Sequence, residues 1–230
     1  MSRITKLYVA LGALAVLSGC AAVQEKAADP AEKAGVAIYF YEALPGQSEP
    51  RLVHMFVHKD FIHFGPVNHP ENYTLFRRTT KTIYEVDGEQ KTIKEISGQR
   101  APADLTQYRI ESETNPSKLL TDTEANHLRI KVNGETCFNV IGVQDMLPEV
   151  REALREYYSV KANDPAFDAL AEGGCARFIN VAAPEKRVEV GFPARQWGSD
   201  GYSLFIQEYR VNIIPSDDLN FNTLPEWYKK

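Results

Sequence analysis

From Gly35 onward, apolar and polar residues alternate with a period of two, which predicts β-strands. In the first strand, Gly35–Tyr41, both alternate sets are apolar, so we expect it to be covered on both faces. Further strands are predicted at Leu52–Val57, Phe61–Phe64, Tyr73–Phe76, Lys81–Val86, Lys91–Ile96, Tyr108–Glu111, His127–Val132, Thr136–Val143, Ala176–Val181, Arg187–Phe192 and Tyr202–Val211.

Two dipeptides between these segments are strong hairpin signals. Asp87-Gly88 and Asn133-Gly134 each separate two predicted strands. Glycine tolerates the positive φ that tight loops require, so each pair of strands is predicted to be antiparallel. In the second hairpin, a regular ladder places Cys137 opposite Ile130, with its sulfur pointing inward.

Helical periodicity is clear in one segment, Asp145–Val160. Its apolar residues recur at spacings of 3, 4 and 3, and charged residues cover the opposite side. The apolar set is Leu147, Val150, Leu154 and Tyr157. Asp145 is predicted to cap the helix, and Pro148 fits its first turn. A second, short helix is predicted at Pro165–Ala171.

Ten or so strands with one helical insertion predict an α+β fold: a mostly antiparallel, curved sheet that resembles a half-barrel. The sixteen residues of the predicted helix span roughly 24 Å, and eight or more strands at ~4.8 Å spacing are wider than that. The uncovered part of the sheet must curl on itself, meet a partner or hold a ligand. If it curls, the sheet becomes a half-barrel, and we expect the helix to lie across the mouth of that half-barrel. We expect residues 35–230 to form one domain, because no Pro/Gly/Ser-rich linker divides them.

Composition narrows the class of protein. The chain has 230 residues, of which 43% are hydrophobic and 25% charged, as in ordinary globular proteins. This excludes a disordered tail, a collagen-like rod and a multi-span membrane protein. The net charge is −5 and no long basic run exists, so nucleic acid is not an expected partner.

The first nineteen residues have the three regions of a signal peptide. Arg3 and Lys6 precede an apolar stretch, Leu7–Leu17, which is too short to cross a membrane. The adjoining Leu17-Ser18-Gly19-Cys20 resembles the lipobox of bacterial lipoproteins. The resemblance implies cleavage after residue 19 and lipidation of Cys20, although an ordinary secreted protein with a chance cysteine remains the alternative.

The residues after the lipobox indicate in which membrane the protein is anchored. Ala21 stands where the inner-membrane retention signal of that family has aspartate, which implies the inner leaflet of the outer membrane, facing the periplasm. Residues 20–34 contain no large apolar residue except Val23 and are expected to form a flexible tether. The membrane is thus an expected partner, through the N-terminal lipid anchor.

The two remaining cysteines, Cys137 and Cys175, fit an oxidising compartment. They allow one intrachain disulfide, which would join the helical insertion to the sheet. Free buried thiols and a catalytic cysteine are the alternatives, but nothing near either residue resembles a Cys–His site.

Four histidines lie within sixteen residues: His54, His58, His63 and His69. Three imidazoles could bind zinc or copper, or the set could lie on a partly hydrated sheet face. Without an HExxH motif or a ligand at fixed spacing, we expect no metal and no cofactor. Nucleophile-elbow, phosphate-loop and dinucleotide motifs are also missing, so we expect no catalytic residues, although distant groups can converge in space.

Aromatic residues suggest a binding surface. One concave face of the sheet could carry Tyr39, Phe40, Tyr41, Phe56, Phe61, Phe64, Tyr202 and Phe205, or they could fill a plain core. As ligand-binding candidates we select Tyr39, Tyr41, Phe56, Phe61 and Phe205.

A lipidated chain of consecutive antiparallel strands closed off by a helix resembles the LolA/LolB-like carriers and receptors of lipoprotein sorting. Phe76-Arg77, Thr82-Ile83-Tyr84 and Thr92-Ile93 also resemble uncharacterised proteobacterial lipoproteins. The first resemblance implies a half-barrel with an apolar cavity, although here the helix comes late, between the two cysteines. We therefore expect a non-catalytic protein that binds a lipid or acyl chain; an envelope scaffold that binds another protein is the alternative.

Overall fold

The computed structural model describes residues 34–98, 106, 108–117, 124–169, 174–215 and 221–228. The signal peptide, Cys20 and all of the tether except Ala34 lie outside the described residues. Eleven strands are described: β1 (Gly35–Ala43), β2 (Arg51–Val57), β3 (Phe61–Pro66), β4 (Tyr73–Arg77), β5 (Thr82–Asp87), β6 (Thr92–Ser97), β7 (Ile110–Ser117), β8 (Ala125–Val132), β9 (Glu135–Val143), β10 (Phe192–Gly198) and β11 (Ser203–Ile213).

All eleven strands form one antiparallel sheet in the order β6-β5-β4-β3-β2-β1-β11-β10-β9-β8-β7. The chain runs outward from β1 to one edge, reappears at the opposite edge as β7, and returns to pair β11 with β1. The sheet thus has two arms, a first arm of β1 to β6 and a second arm of β7 to β11. Within each arm, strands that follow one another in the chain are neighbours in the sheet. The described strands therefore give a sheet with two edges, β6 and β7.

The sheet is curved. Helix α1 (Pro148–Lys161) contacts β5 and β6 on one arm and β10 on the other. The predicted α+β fold, a curved antiparallel sheet with a helical insertion, is confirmed.

Strand β1 is buried from both sides, as its two apolar sets predict. One face of the sheet, here called the helix face, packs Ile38 and Phe40 against α1 residues such as Leu154. The opposite face, here called the tail face, is covered by C-terminal residues. On that face Ala37, Phe56, Phe61, Leu75 and Tyr84 pack against Ile213, Phe221 and Leu224.

The helix begins at Pro148, and the predicted cap at Asp145 is wrong. Proline restricts the residue before it to non-helical conformations, and Leu147 accordingly takes a left-handed conformation with φ of 46°. The predicted Pro165–Ala171 helix is a 3-10 turn at Pro165–Ala169.

Two predicted strands, Ala176–Val181 and Arg187–Phe192, are wrong. The chain is helical at Cys175–Arg177, forms a π turn at Phe178–Ala182 and a 3-10 turn at Pro184–Val188. A short apolar run fits a buried turn of helix as well as a strand, so periodicity alone does not separate them. Among the described residues, no helix is both long and apolar enough to cross a membrane.

The predicted disulfide between Cys137 and Cys175 is present, with the two Cα atoms 5.1 Å apart. Its predicted register is wrong, because Ile130 pairs with Phe138. Lys131 pairs with Thr136, so Cys137 is the extra residue of a β-bulge. Cys137 is nonetheless buried, as predicted.

Candidate functional site

A cavity of about 610 Å³ lies on the helix face, between the centre of the sheet and α1. We call it the helix-face cavity. Its walls are mainly apolar and aromatic, and include Phe40, Phe64, Phe138, Leu154, Tyr157 and Leu204. The volume falls within the ~300–1,000 Å³ that small-molecule sites occupy, and the mainly apolar walls make this cavity the leading candidate site.

Strand alternation and helix periodicity place these walls. Residues two apart on a strand share a side. Phe40 therefore points to the same face as Ile38, and Phe64 to the same face as Ile62, which is the helix face. Leu154 and Tyr157 are three residues apart and share the buried face of α1. The rings of Phe64 and Tyr157 meet edge to face, with centroids 5.4 Å apart. The cavity is therefore built on rigid elements.

Two tyrosines in the cavity wall are held neutral. Burial raises the pKa of Tyr157 well above its ordinary value. Burial, aided by the neighbouring Tyr158, also raises the pKa of Tyr202. Neither hydroxyl ionises in the physiological pH range, so both offer polar but uncharged groups to a ligand.

An ion-pair network anchors the C-terminal end of α1 beside the cavity. Asp164 is 2% exposed and accepts hydrogen bonds from Lys161 at 2.6 Å and from the Ala166 amide at 2.9 Å. Lys94 lies 2.5 Å from the same carboxylate, and Lys161 also pairs with Glu85. Burial raises the pKa of Asp164, but the hydrogen bonds from the two lysines outweigh it and hold the value at about 2.

We expect Asp164→Asn to lower the free energy of unfolding by about 2 kcal/mol at neutral pH, the equivalent of a pKa depressed from 3.8 to about 2. This contribution is complete above pH 3.8 and disappears as the pH falls through 2. Urea denaturation at pH 7 measures the loss. Glu49→Gln, at an exposed acid, should change little, and equal stability of the two variants would contradict the role of the network.

A second space of about 510 Å³ adjoins the helix-face cavity, and the two share Glu42, Val53 and Phe64. Charged residues of both signs line the second space: Glu42, Glu85, Asp87, Glu89, Arg51 and Lys94.

The tail face has a cavity of its own, of about 630 Å³, here called the tail-face cavity. Tyr39, His54, Phe56, His63 and Phe221 are among the residues that line it. Phe221 from the C-terminal tail lies against both imidazoles, with ring centroids 5.5 Å from His54 and 4.8 Å from His63.

The tail-face cavity contains a buried imidazole nitrogen without a partner in the described part of the chain. The Nδ1 atom of His63 is buried and has no hydrogen-bond partner among the described residues. Burial, together with the neighbouring charge of His54, lowers the pKa of His63 to about 4, and burial also lowers the pKa of His54. An apolar ligand here would leave the ring nitrogen without a partner, which is costly.

The five selected aromatic residues lie on the tail face. Tyr39 and Phe56 line the tail-face cavity. Phe61 packs near Phe56, with ring centroids 6.0 Å apart. Tyr41 lies 5.3 Å from Phe205, which is 46% exposed. The structure thus divides this set among three environments, none of them the helix-face cavity.

Three aromatic residues that the sequence also suggested, Phe40, Phe64 and Tyr202, do line the helix-face cavity. The amphipathic pattern of α1 already identified Leu154 and Tyr157 as residues that face the sheet. Phe138 and Leu204, also in the wall, had no signal beyond strand alternation.

The four histidines do not converge. His54 and His63 lie on the tail face, His58 lies beside Asp60 with its Nδ1 3.5 Å from the carboxylate, and His69 is in an exposed loop. Within the described ranges, one group has the spacing to hold a metal ion. It consists of His69, Glu71 and Glu89, all exposed.

No protein-family model and no curated protein matches the sequence. Two solved structures of PNGF-II, in the C2 and P21 space groups, are similar to 82% of the chain at 10% identity, with TM-scores of 0.41 and 0.36. The chain spans less than a third of PNGF-II, 29% and 30% of the two solved chains. At TM-scores below 0.5, these similarities support no conclusion about fold or function.

Proposed function

We propose that this protein is a non-catalytic, lipid-anchored periplasmic protein that binds an acyl chain in the helix-face cavity. The observation that supports ligand binding is the cavity itself: about 610 Å³ of space between sheet and helix, with mainly apolar walls. Protein interiors are close-packed, and voids larger than a water molecule are few. A mainly apolar concavity of this size is large enough to hold a small molecule, and an acyl chain suits its walls.

Filling the cavity provides the test of ligand binding. We expect Leu204→Trp, which places a large ring in the helix-face cavity, to weaken binding of the neutral dye Nile red at least tenfold, as measured by fluorescence titration. The full-length Cys20→Ser variant is used without detergent as the background.

Leu224→Trp is the matched control, because Leu224 lines the tail-face cavity. It should leave the dissociation constant within twofold of the background value. The proposal fails if the dye does not bind saturably, or if Leu224→Trp alone abolishes binding.

The anchor is proposed from the Leu17-Ser18-Gly19-Cys20 sequence. Several acyl chains give effectively permanent membrane attachment, whereas one chain holds only marginally. We expect Cys20→Ser to move the protein from the outer-membrane fraction to a soluble or inner-membrane fraction. Fractionation with immunoblotting measures this, and an unchanged distribution would contradict the anchor.

Docking of another envelope protein is the second candidate function. Exposed apolar side chains on and just after β11 favour it: Phe205, Tyr209, Val211 and Ile214 are each 46–51% exposed. Exposed large apolar side chains are one feature of protein interaction sites. Replacing Phe205 with lysine would weaken such docking without affecting Nile red binding, so the two functions can be separated.

A further inference from the structure

Of the two cations that line the helix-face cavity, Lys161 and Arg187, Arg187 is the one without a carboxylate partner among the described residues. Lys161 is paired with carboxylates, and Glu42 is paired with Arg51, whose Nη2 lies 2.7 Å from its carboxylate. Asp200 accepts a hydrogen bond from the Tyr202 amide at 3.0 Å. Among the described residues, no carboxylate lies within ion-pair distance of Arg187.

Neutral groups hold the Arg187 side chain in place. Its Nη2 donates to Asn180 Oδ1 at 2.6 Å, and its Nη1 donates to Gln196 Oε1 at 3.3 Å. The guanidinium carbon lies 4.6 Å from the centroid of the Phe138 ring and 5.3 Å from that of Tyr158. The aromatic faces stabilise the cation and the two amides orient it, but none of them neutralises its charge.

Donors remain available on this guanidinium. It has five N–H groups, and two of them make the hydrogen bonds to Asn180 and Gln196. A cation beside apolar surface is costly unless it is paired. The planar fork of an arginine matches the oxygen pairs of a carboxylate or a phosphate.

We infer that the ligand of the helix-face cavity is a single-chain anionic amphiphile, whose carboxylate or phosphate pairs with Arg187. This inference rests on the proposed function, because it assigns the headgroup of a ligand whose chain lies against the apolar walls. The anion would supply the counter-ion that Arg187 lacks among the described residues.

A purely structural role for Arg187 predicts something different. Its two hydrogen bonds join the π turn at Asn180 to β10 at Gln196, which would hold the insertion on the sheet. In that case a substitution would lower stability but leave the headgroup preference unchanged. Selectivity among ligands of equal chain length separates the two roles.

The experiment compares dodecanoate, dodecyl phosphate and dodecanol in displacing Nile red from the full-length Cys20→Ser variant. We expect both anions to bind at least tenfold more tightly than the alcohol. The tighter of the two anions identifies whether the headgroup is a carboxylate, as in a free fatty acid, or a phosphate, as in a phospholipid derivative.

Substitutions of Arg187 test whether this residue causes the preference for anions. Arg187→Gln should bind all three ligands within threefold of one another, and Arg187→Lys should keep a preference for the anions. Arg195→Gln is the matched control, because Arg195 is exposed, lies over Trp197 and does not line the cavity. It should keep the wild-type preference.

The outcomes distinguish the inference from the proposed function. Equal binding of dodecanol and the anions overturns the inference and leaves the proposed function intact. Displacement by none of the three overturns both. A preference for anions that persists in Arg187→Gln also overturns the inference, since another cation then binds the headgroup. If Arg187→Gln does not fold, Arg187→Met, which keeps the apolar stem without the charge, is measured in its place and is read in the same way.

Discussion

Replacing Cys137 and Cys175 together by alanine is expected to lower the free energy of unfolding by about 4 kcal/mol. The disulfide joins residues 38 positions apart, and the loss of loop-closure entropy from the unfolded chain gives a stabilisation of this size. The closed loop contains α1 and the 3-10 turn at Pro165–Ala169, so the bond also holds the insertion against the sheet. Urea denaturation of the variant and the wild type measures the difference.

Reduction is the control for this effect. A thiol reductant should destabilise the wild type by the same amount and leave the double variant unaffected. Equal denaturation midpoints for the oxidised wild type and the variant would show that the bond does not stabilise the fold.

Acidification from pH 7.5 to pH 4 is expected to cost about 3 kcal/mol of stability through His63 alone. Burial and the charge of His54 lower the folded-state pKa of His63 to about 4, from 6.5. The folded protein then binds fewer protons than the unfolded chain between these values. The stabilisation is complete above pH 6.5 and is lost as the pH falls toward 4.

His63→Phe removes this titration and should reduce the slope of the stability profile between pH 6.5 and 4, leaving the contribution of His54, whose pKa burial also lowers. Tyr73, which also lines the tail-face cavity and whose pKa burial raises, does not change charge in that range. Identical slopes for His63→Phe and the wild type would contradict the buried, neutral state of His63.

Much of the fold could be predicted because its contacts are local in sequence. The two apolar sets of Gly35–Tyr41 predict burial on both faces, and the Asn133-Gly134 loop predicts the hairpin around it. Both residues of that loop have positive φ, 54° and 87°. The return of the chain to pair β11 with β1 has no local signal, since it depends on packing across the whole sheet.

The segment from Ala176 to Phe192 shows where periodicity fails. Phe178, Ile179 and Val181 are all buried within a π turn, but the same residues alternate acceptably as a strand. The disulfide and the packing of Phe178 and Ile179 against the second arm of the sheet favour the turn. Tertiary contacts therefore determine the conformation of this segment.

The location of the cavity could not be predicted for a related reason. Tyr39 and Phe40 are neighbours on β1, and strand geometry sends them to opposite faces. Because both faces of this strand are apolar, its sequence does not indicate which face α1 covers and which face the tail covers. The position of the cavity depends on how α1 packs on the sheet. The sequence indicates only that this helix has an apolar face.

A crystal structure with a bromine-labelled ligand shows where the acyl chain binds. Crystals of the full-length Cys20→Ser variant are soaked with 12-bromododecanoate, and the anomalous signal locates the bromine. We expect one peak in the helix-face cavity, among Phe40, Leu154, Tyr157 and Leu204. A peak in the tail-face cavity beside His63, or a solidly packed helix face without any peak, would contradict the proposed binding in the helix-face cavity.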